Sequence, residues 1–149
     1  MQVAVIGGGV CSEEVARSAQ ELGRRIAERG HVLICGGRGG VMEAACQGAR
    51  MAGGIAVGIL PGSRDDANPY LDVMIDTGMG IARNAIVVRS GDVVVALPGG
   101  VGTLSEIAIA LKMGATVISL DSWDVPGVMA ASSVEEAVDM IESVCGSNR

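Results

Sequence analysis

Three times in this chain a short apolar run, rich in β-branched residues, breaks into glycines and is followed by an amphipathic stretch. Gln2–Ile6 runs into Gly7-Gly8-Gly9, and Val32–Cys35 into Gly36-Gly37-Arg38-Gly39-Gly40. Asp92–Leu97 runs into Pro98-Gly99-Gly100-Val101-Gly102. A strand that is apolar along its whole length must be covered on both faces, which is the condition of a parallel sheet. The glycines carry a second message. They let a backbone approach an anion without a Cβ clash, and the helix that follows offers free N–H groups with partial positive charge. With no Phe, one Trp and one Tyr in 149 residues, the core has to be built from Val, Ile, Leu, Met and Ala.

The rest of the chain continues the alternation. A helix is predicted from about Ser12 to Arg29, with Val15, Ala19, Leu22 and Ile26 on one face and Gly30 as its stop. The next, from Val41 to about Ala52, is apolar nearly all round, which predicts burial against a second subunit. Strands follow at Ile55–Leu60 and Leu71–Ile75, then a helix at Ile81–Arg89 and the fifth strand. A helix ending near Met113, a strand at Thr116–Leu120 and a helix from about Ser133 to Val144 complete the pattern. Ser132 and Glu135 have capping-box spacing, and Ser147-Asn148-Arg149 is expected to fray. Residues 1–149 are thus expected to form one domain of the α/β class. Its core is a Rossmann-like doubly wound parallel sheet of six or seven strands, in the order 3-2-1-4-5-6, with helices on both faces. In that order the helix-less segment 61–70 crosses the carboxyl ends of the strands, where ligands bind. Arg64, Asp65, Asp66 and Asn68 are then candidate lid residues; the alternative is an exposed turn with solvated charges.

Several function classes fall away. A net charge of −6 and a pI near 4.7 leave no basic face for nucleic acid, and aromatics for base stacking are missing. No apolar run reaches membrane-spanning length. Met1-Gln2 leads straight into a strand and leaves no room for a signal peptide, so the cytoplasm is the expected compartment. Cys11, Cys35, Cys46 and Cys145 make no CxxC pair, and one histidine accompanies them, so no metal site is expected. A dinucleotide fingerprint fails at Ser12, where a third glycine belongs, and at Gly36-Gly37, where an acidic residue should take the ribose hydroxyls. A P-loop fails because no Gly-Lys-Ser/Thr occurs. What remains is a backbone cradle suited to one phosphate.

Few charged residues lie near that cradle. Arg83 falls in the first turn of the helix after the fourth strand, where it opposes the helix dipole; its fork suits phosphate or carboxylate, or it is a solvated surface residue. Asn84 beside it could hydrogen-bond a ligand or cap. Thr103 reads as an N-cap with Glu106 completing a capping box, yet Glu106 beside a phosphate could equally handle a water or a cationic sugar. Glu43 and Arg38 carry the same ambiguity at the second glycine loop. His31 sits at the amino end of the sheet and reads as structural. Lys112, the sole lysine, also lies at that end, so lysine-dependent pyridoxal chemistry is not expected.

Pro98-Gly99-Gly100-Val101-Gly102-Thr103-Leu104-Ser105-Glu106 resembles the P-G-G-x-G-T-x-x-E signature of the LONELY GUY (LOG) family, often labelled "possible lysine decarboxylase". Gly36-Gly37-Arg38-Gly39-Gly40-Val41-Met42 resembles its earlier glycine-rich turn. Enzymes of that family hydrolyse the N-glycosidic bond of nucleoside 5′-monophosphates without a cofactor. The resemblance implies that Gly99, Gly100, Gly102 and Thr103 hold the 5′-phosphate, with Gly8, Gly9, Gly36, Gly37, Gly40, Asn84 and Pro98 around the ligand. It also implies catalytic roles for Arg83 and Glu106, and a homodimer or homotetramer. The cytokinin-activating members carry Arg-Lys where this chain has Arg83-Asn84. The short form, with Ile59-Leu60-Pro61-Gly62 and Ala67-Asn68-Pro69-Tyr70, is similar to the molybdenum-cofactor-carrier-like branch, whose members bind a phosphorylated pterin. The implied ligand is therefore a nucleoside monophosphate or the molybdenum cofactor.

Overall fold

The computed structural model describes residues 1–147. Its strands are β1 (Gln2–Ile6), β2 (Val32–Cys35), β3 (Ala56–Leu60), β4 (Val73–Asp76), β5 (Val93–Ala96), β6 (Val117–Leu120) and β7 (Met129–Ala131). The helices are α1 (Glu13–Glu28), α2 (Val41–Met51), α3 (Arg83–Ser90), α4 (Val101–Lys112) and α5 (Val134–Ser147), with 3₁₀ turns at 64–66 and 80–82. Ser147 closes α5, so of the expected frayed end only 148–149 remain, and they lie outside the described residues.

All pairings are parallel, and the seven strands lie in the order β4-β3-β2-β1-β5-β6-β7. The alternation along the central strands explains their unbroken apolar sequence. Val3, Val5, Leu33, Val93 and Val95 point into the core under α1, α2 and α5, whereas Ala4, Ile6, Ile34, Val94 and Ala96 point into the core under α3 and α4. The α/β class, the parallel sheet and the two helical layers are as expected. The strand order is not: the segment expected to pass to the far side of β1 instead pairs with β3, in the register Val57↔Val73 to Leu60↔Asp76. The physical reason lies in β4 itself. Asp72 and Asp76 bracket Val-Met-Ile, and all four strand residues are exposed, which suits an edge and not a central position. The long crossover is then made after β4, by α3.

Without a helix, the β3–β4 connection covers the sheet with single side chains. Tyr70 and Leu71 pack on the α1/α2 core, and Arg50 Nη1 donates to Pro69 O at 3.0 Å. Asn68 is buried and ties down the second glycine loop: its N–H donates to Gly37 O at 2.9 Å and its Nδ2 to Arg38 O at 3.0 Å. It is a clamp and not a lid. Arg64 pairs with Asp76 at 3.1 Å on the surface.

The apolar surround of α2 is used up within the chain. α1 and α2 cross so closely that a Cβ on Gly23 would collide with Ala45 O, and one on Gly48 with Gln20 O. That contact, with the sheet beneath, removes the reason for expecting α2 at a subunit contact. Large exposed apolar side chains gather instead on β4 and the turn after it: Val73, Ile75, Met79 and Ile81. His31 is buried at the amino end of the sheet, with Nε2 2.6 Å from Glu142 Oε1. The cap of α5 lies one residue later than expected: Ser133 Oγ accepts from Glu136 N at 3.1 Å, and Glu136 reaches back to Ser132. None of the described helices is long and apolar enough to cross a membrane.

The helix crossing gives a direct test. Gly48→Ala forces a methyl group into the backbone of α1 and is expected to cost about 3 kcal/mol in urea unfolding. Gly146→Ala, where nothing lies within 4 Å, is expected to leave stability unchanged or slightly raised.

Candidate functional site

Because β1 lies between β2 and β5, the three glycine turns emerge side by side at the carboxyl edge of the sheet. The chain runs outward through β2, β3 and β4 and then resumes at β5, so this edge is the topological switch point of the fold. The turns are stitched together: Gly8 N donates to Pro98 O at 3.0 Å and Val41 N to Gly8 O at 3.0 Å. The β1–α1 connection is thereby hydrogen-bonded to the 98–100 loop on one side and to the start of α2, after the 36–40 loop, on the other.

A cavity of about 460 Å³ opens between them, and it collects Gly8, Gly9, Arg38, Arg83, Asn84, Gly100, Gly102, Thr103 and Glu106. Five of the predicted residues stand just outside its lining. Gly36 backs Arg83, Gly99 packs against Thr103 Oγ1, and Gly37 packs against Leu60. Gly40 is the N-cap of α2, at φ 63°, and Pro98 lines a neighbouring cavity. That neighbour is larger, about 630 Å³, and lies among α1, α5 and the end of β6, with Ser12, Asp121 and Ser132 in its wall. Among the described residues no basic side chain lines it, so chemistry favours the smaller cavity over the larger.

The start of α4 departs from the capping-box expectation. The N-cap is Gly100, and no side chain among the described residues caps the helix; Leu104 N makes the first helical bond, to Gly100 O at 3.1 Å. Thr103 therefore sits at the third helical position and Glu106 at the sixth, too deep to reach back to the cap. The spacing was right for a box and the register was not. The consequence is a helix end whose first N–H groups, at Val101, Gly102 and Thr103, have neither a helical partner nor a side-chain cap.

The two charged residues deepest in the cavity are both strained electrostatically. Glu106 is 8% exposed and accepts no hydrogen bond among the described residues; burial pushes its carboxyl up to about 7, against the opposing pull of the Arg83 guanidinium. Arg83, also 8% exposed, has its pKa lowered, first by burial and further by Arg38. Its Nη2 donates to Gly36 O at 3.3 Å and its Nη1 to Asn84 Oδ1, but Nε is buried without a partner among the described residues. An unpaired buried donor beside a second guanidinium is costly unless an anion comes to both. Arg38 was ambiguous in sequence and is now placed on the cavity wall. Glu43 is not; it faces a separate cleft with Cys11 and Gln47. Trp123 gave no sequence signal, yet its indole donates to Gly99 O and Gly100 O at 3.1 and 3.2 Å.

The raised Glu106 carboxyl has a consequence for stability. The folded protein holds this proton more tightly than the unfolded chain, so its contribution is fully present below about 4.5 and is lost as pH rises through about 7. Glu106→Gln is expected to match the wild type near pH 4 and to exceed it at pH 8, by up to about 3 kcal/mol. Denaturant titrations at both pH values check this; a variant no more stable at pH 8 contradicts it.

The SLOG cluster4 family profile matches residues 1–145. A mycobacterial relative, the cytokinin riboside 5′-monophosphate phosphoribohydrolase of Mycobacterium tuberculosis, is 34% identical over 74% of this chain, which spans 64% of that enzyme's length. The molybdenum cofactor binding protein of the phototrophic bacterium Rippkaea orientalis has a similar structure, with a TM-score of 0.92 and 40% identity over 97% of this chain and 96% of that one. The molybdenum cofactor carrier protein of Chlamydomonas reinhardtii gives a TM-score of 0.90 and 34% identity over 97% and 98% of the two chains. The chain belongs to the SLOG cluster4 family and is a LOG family member that stands close to the molybdenum cofactor carrier branch.

Proposed function

We propose that residues 1–149 act as one ligand-binding domain that takes a nucleoside 5′-monophosphate and hydrolyses its N-glycosidic bond. The observation that carries this reading is the pairing of an uncapped α4 N-terminus with a buried carboxyl, Glu106, in one cavity. Free amides at Val101, Gly102 and Thr103 suit the phosphate, and the unpartnered Arg83 Nε, with Arg38, adds positive charge. Such a grip fixes the sugar relative to Glu106. As the bond to the base breaks, positive charge develops on the ribose, and an ionised Glu106 in a poorly hydrated site stabilises it strongly. The same carboxylate accepts the proton of the attacking water while the departing base takes a proton from solvent, and a pKa near neutrality is suited to that task. The products are the free base and ribose 5-phosphate, and no metal or cofactor takes part.

A second reading, a carrier of a phosphorylated pterin, is favoured by one feature. Asn84 accepts from Arg83 Nη1 at the position where the resemblance to cytokinin-activating enzymes leads one to expect lysine. The full-length similarity to the carrier proteins supports it as well. In that role the phosphate grip is unchanged, and Glu106 meets the ring and not a bond about to break.

Incubation with AMP and chromatography for free adenine separates the two. Hydrolysis is expected, with kcat/KM rising as pH increases through about 7, where Glu106 deprotonates. Glu106→Gln is expected to lower kcat by about 10²- to 10⁴-fold with less change in KM. Tight AMP binding without adenine release above that of Glu106→Gln overturns hydrolysis. In that case capture of molybdopterin, seen by native mass spectrometry, is the expected result.

A further inference from the structure

The carbonyls of the 98–100 turn are all occupied. Pro98 O accepts from Gly8 N, and Gly100 O closes the first turn of α4 by accepting from Leu104 N. Gly99 O is held by Trp123 alone among the described residues, at 3.1 Å, and the same indole Nε1 lies 3.2 Å from Gly100 O. In a trans peptide the carbonyl and the following N–H point in opposite directions, and no peptide among the described residues is cis. Drawing Gly99 O and Gly100 O toward the indole therefore turns the N–H groups of Gly100 and Val101 away from it. Trp123 sits with Pro98 and Gly99 on one side of the turn, whereas Gly100, Gly102 and Thr103 line the Arg83–Glu106 cavity on the other. Two adjacent glycines have little intrinsic preference to hold that orientation. A flipped unit would present a carbonyl oxygen to the cavity and repel an anion there.

We propose that Trp123 is a positioning residue for anion binding: its indole N–H orients the Gly99–Gly100 peptide so that an amide and not a carbonyl faces the cavity. The proposal rests on reading that cavity as a phosphate site. Asp121, at φ 59°, makes the sharp reversal after β6 that brings Trp123 back over the turn.

Calorimetric titration of AMP and of inorganic phosphate into wild type and Trp123→Phe tests it. Phenylalanine keeps an aromatic ring and removes the N–H donor together with the second ring of the indole. Affinity for both probes is expected to fall by about tenfold, with the thermal midpoint shifted by no more than about 4 °C. Equal affinities in the two proteins overturn the proposal and leave the phosphate reading standing. So does a loss confined to AMP, which would make the ring a contact for the base. Wild type binding neither probe overturns the phosphate reading and this proposal together. If the variant does not fold, the single indole N–H resonance of the wild type carries the test. Slow solvent exchange and a shift on AMP saturation are expected, whereas fast exchange with an unmoved resonance overturns the proposal.

Discussion

Full burial of the central strands is the constraint from which the rest follows. β1, β2 and β5 present aliphatic side chains to both faces, so each must be roofed twice. That requirement fixes the parallel sheet, the helices on either side and a chain that returns over the sheet between strands. It also forces the turns after β1, β2 and β5 to leave by one edge, shoulder to shoulder. The hydrogen bonds from Gly8 to Pro98 and from Val41 to Gly8 then set their spacing. A rigid, glycine-lined cavity is thus a by-product of covering hydrophobic strands.

Into that cavity the fold places groups that are poorly satisfied by the protein alone. The α4 N-terminus has no side-chain cap, Arg83 keeps a buried donor without a partner, and Glu106 is held where its charge is disfavoured. Each has a cost in stability, and each is relieved by the same visitor or used by the same chemistry. A phosphate would satisfy the amides and the guanidinium, and a developing cation would favour the ionised carboxylate. The larger cavity nearby has no such tension in its wall, which is why size misleads here.

Much of this was legible in the residues. The glycine turns, the strand–helix alternation and the pairing of Arg83 with Glu106 at one rim come from local pattern, because they depend on propensity and period. The strand order was not legible: it turns on β4 being an edge strand, and only Asp72 and Asp76 hinted at that. The position of β7 was not legible, because Met-Ala-Ala carries no β-branched signal. The capping box at Thr103 has the correct spacing, but the cap falls at Gly100, and a register difference of that kind is set by packing of the whole loop. Trp123 lies 23 residues beyond the turn it holds, a contact that only tertiary structure can create.

The most direct measurement is where an anion settles. In ¹⁵N-labelled protein titrated with phosphate, the largest amide shifts are expected at Val101, Gly102 and Thr103, together with the side-chain Nε of Arg83. Shifts centred on Ser12 and Ser132, in the wall of the larger cavity, with the start of α4 unmoved, would contradict the assignment of the site.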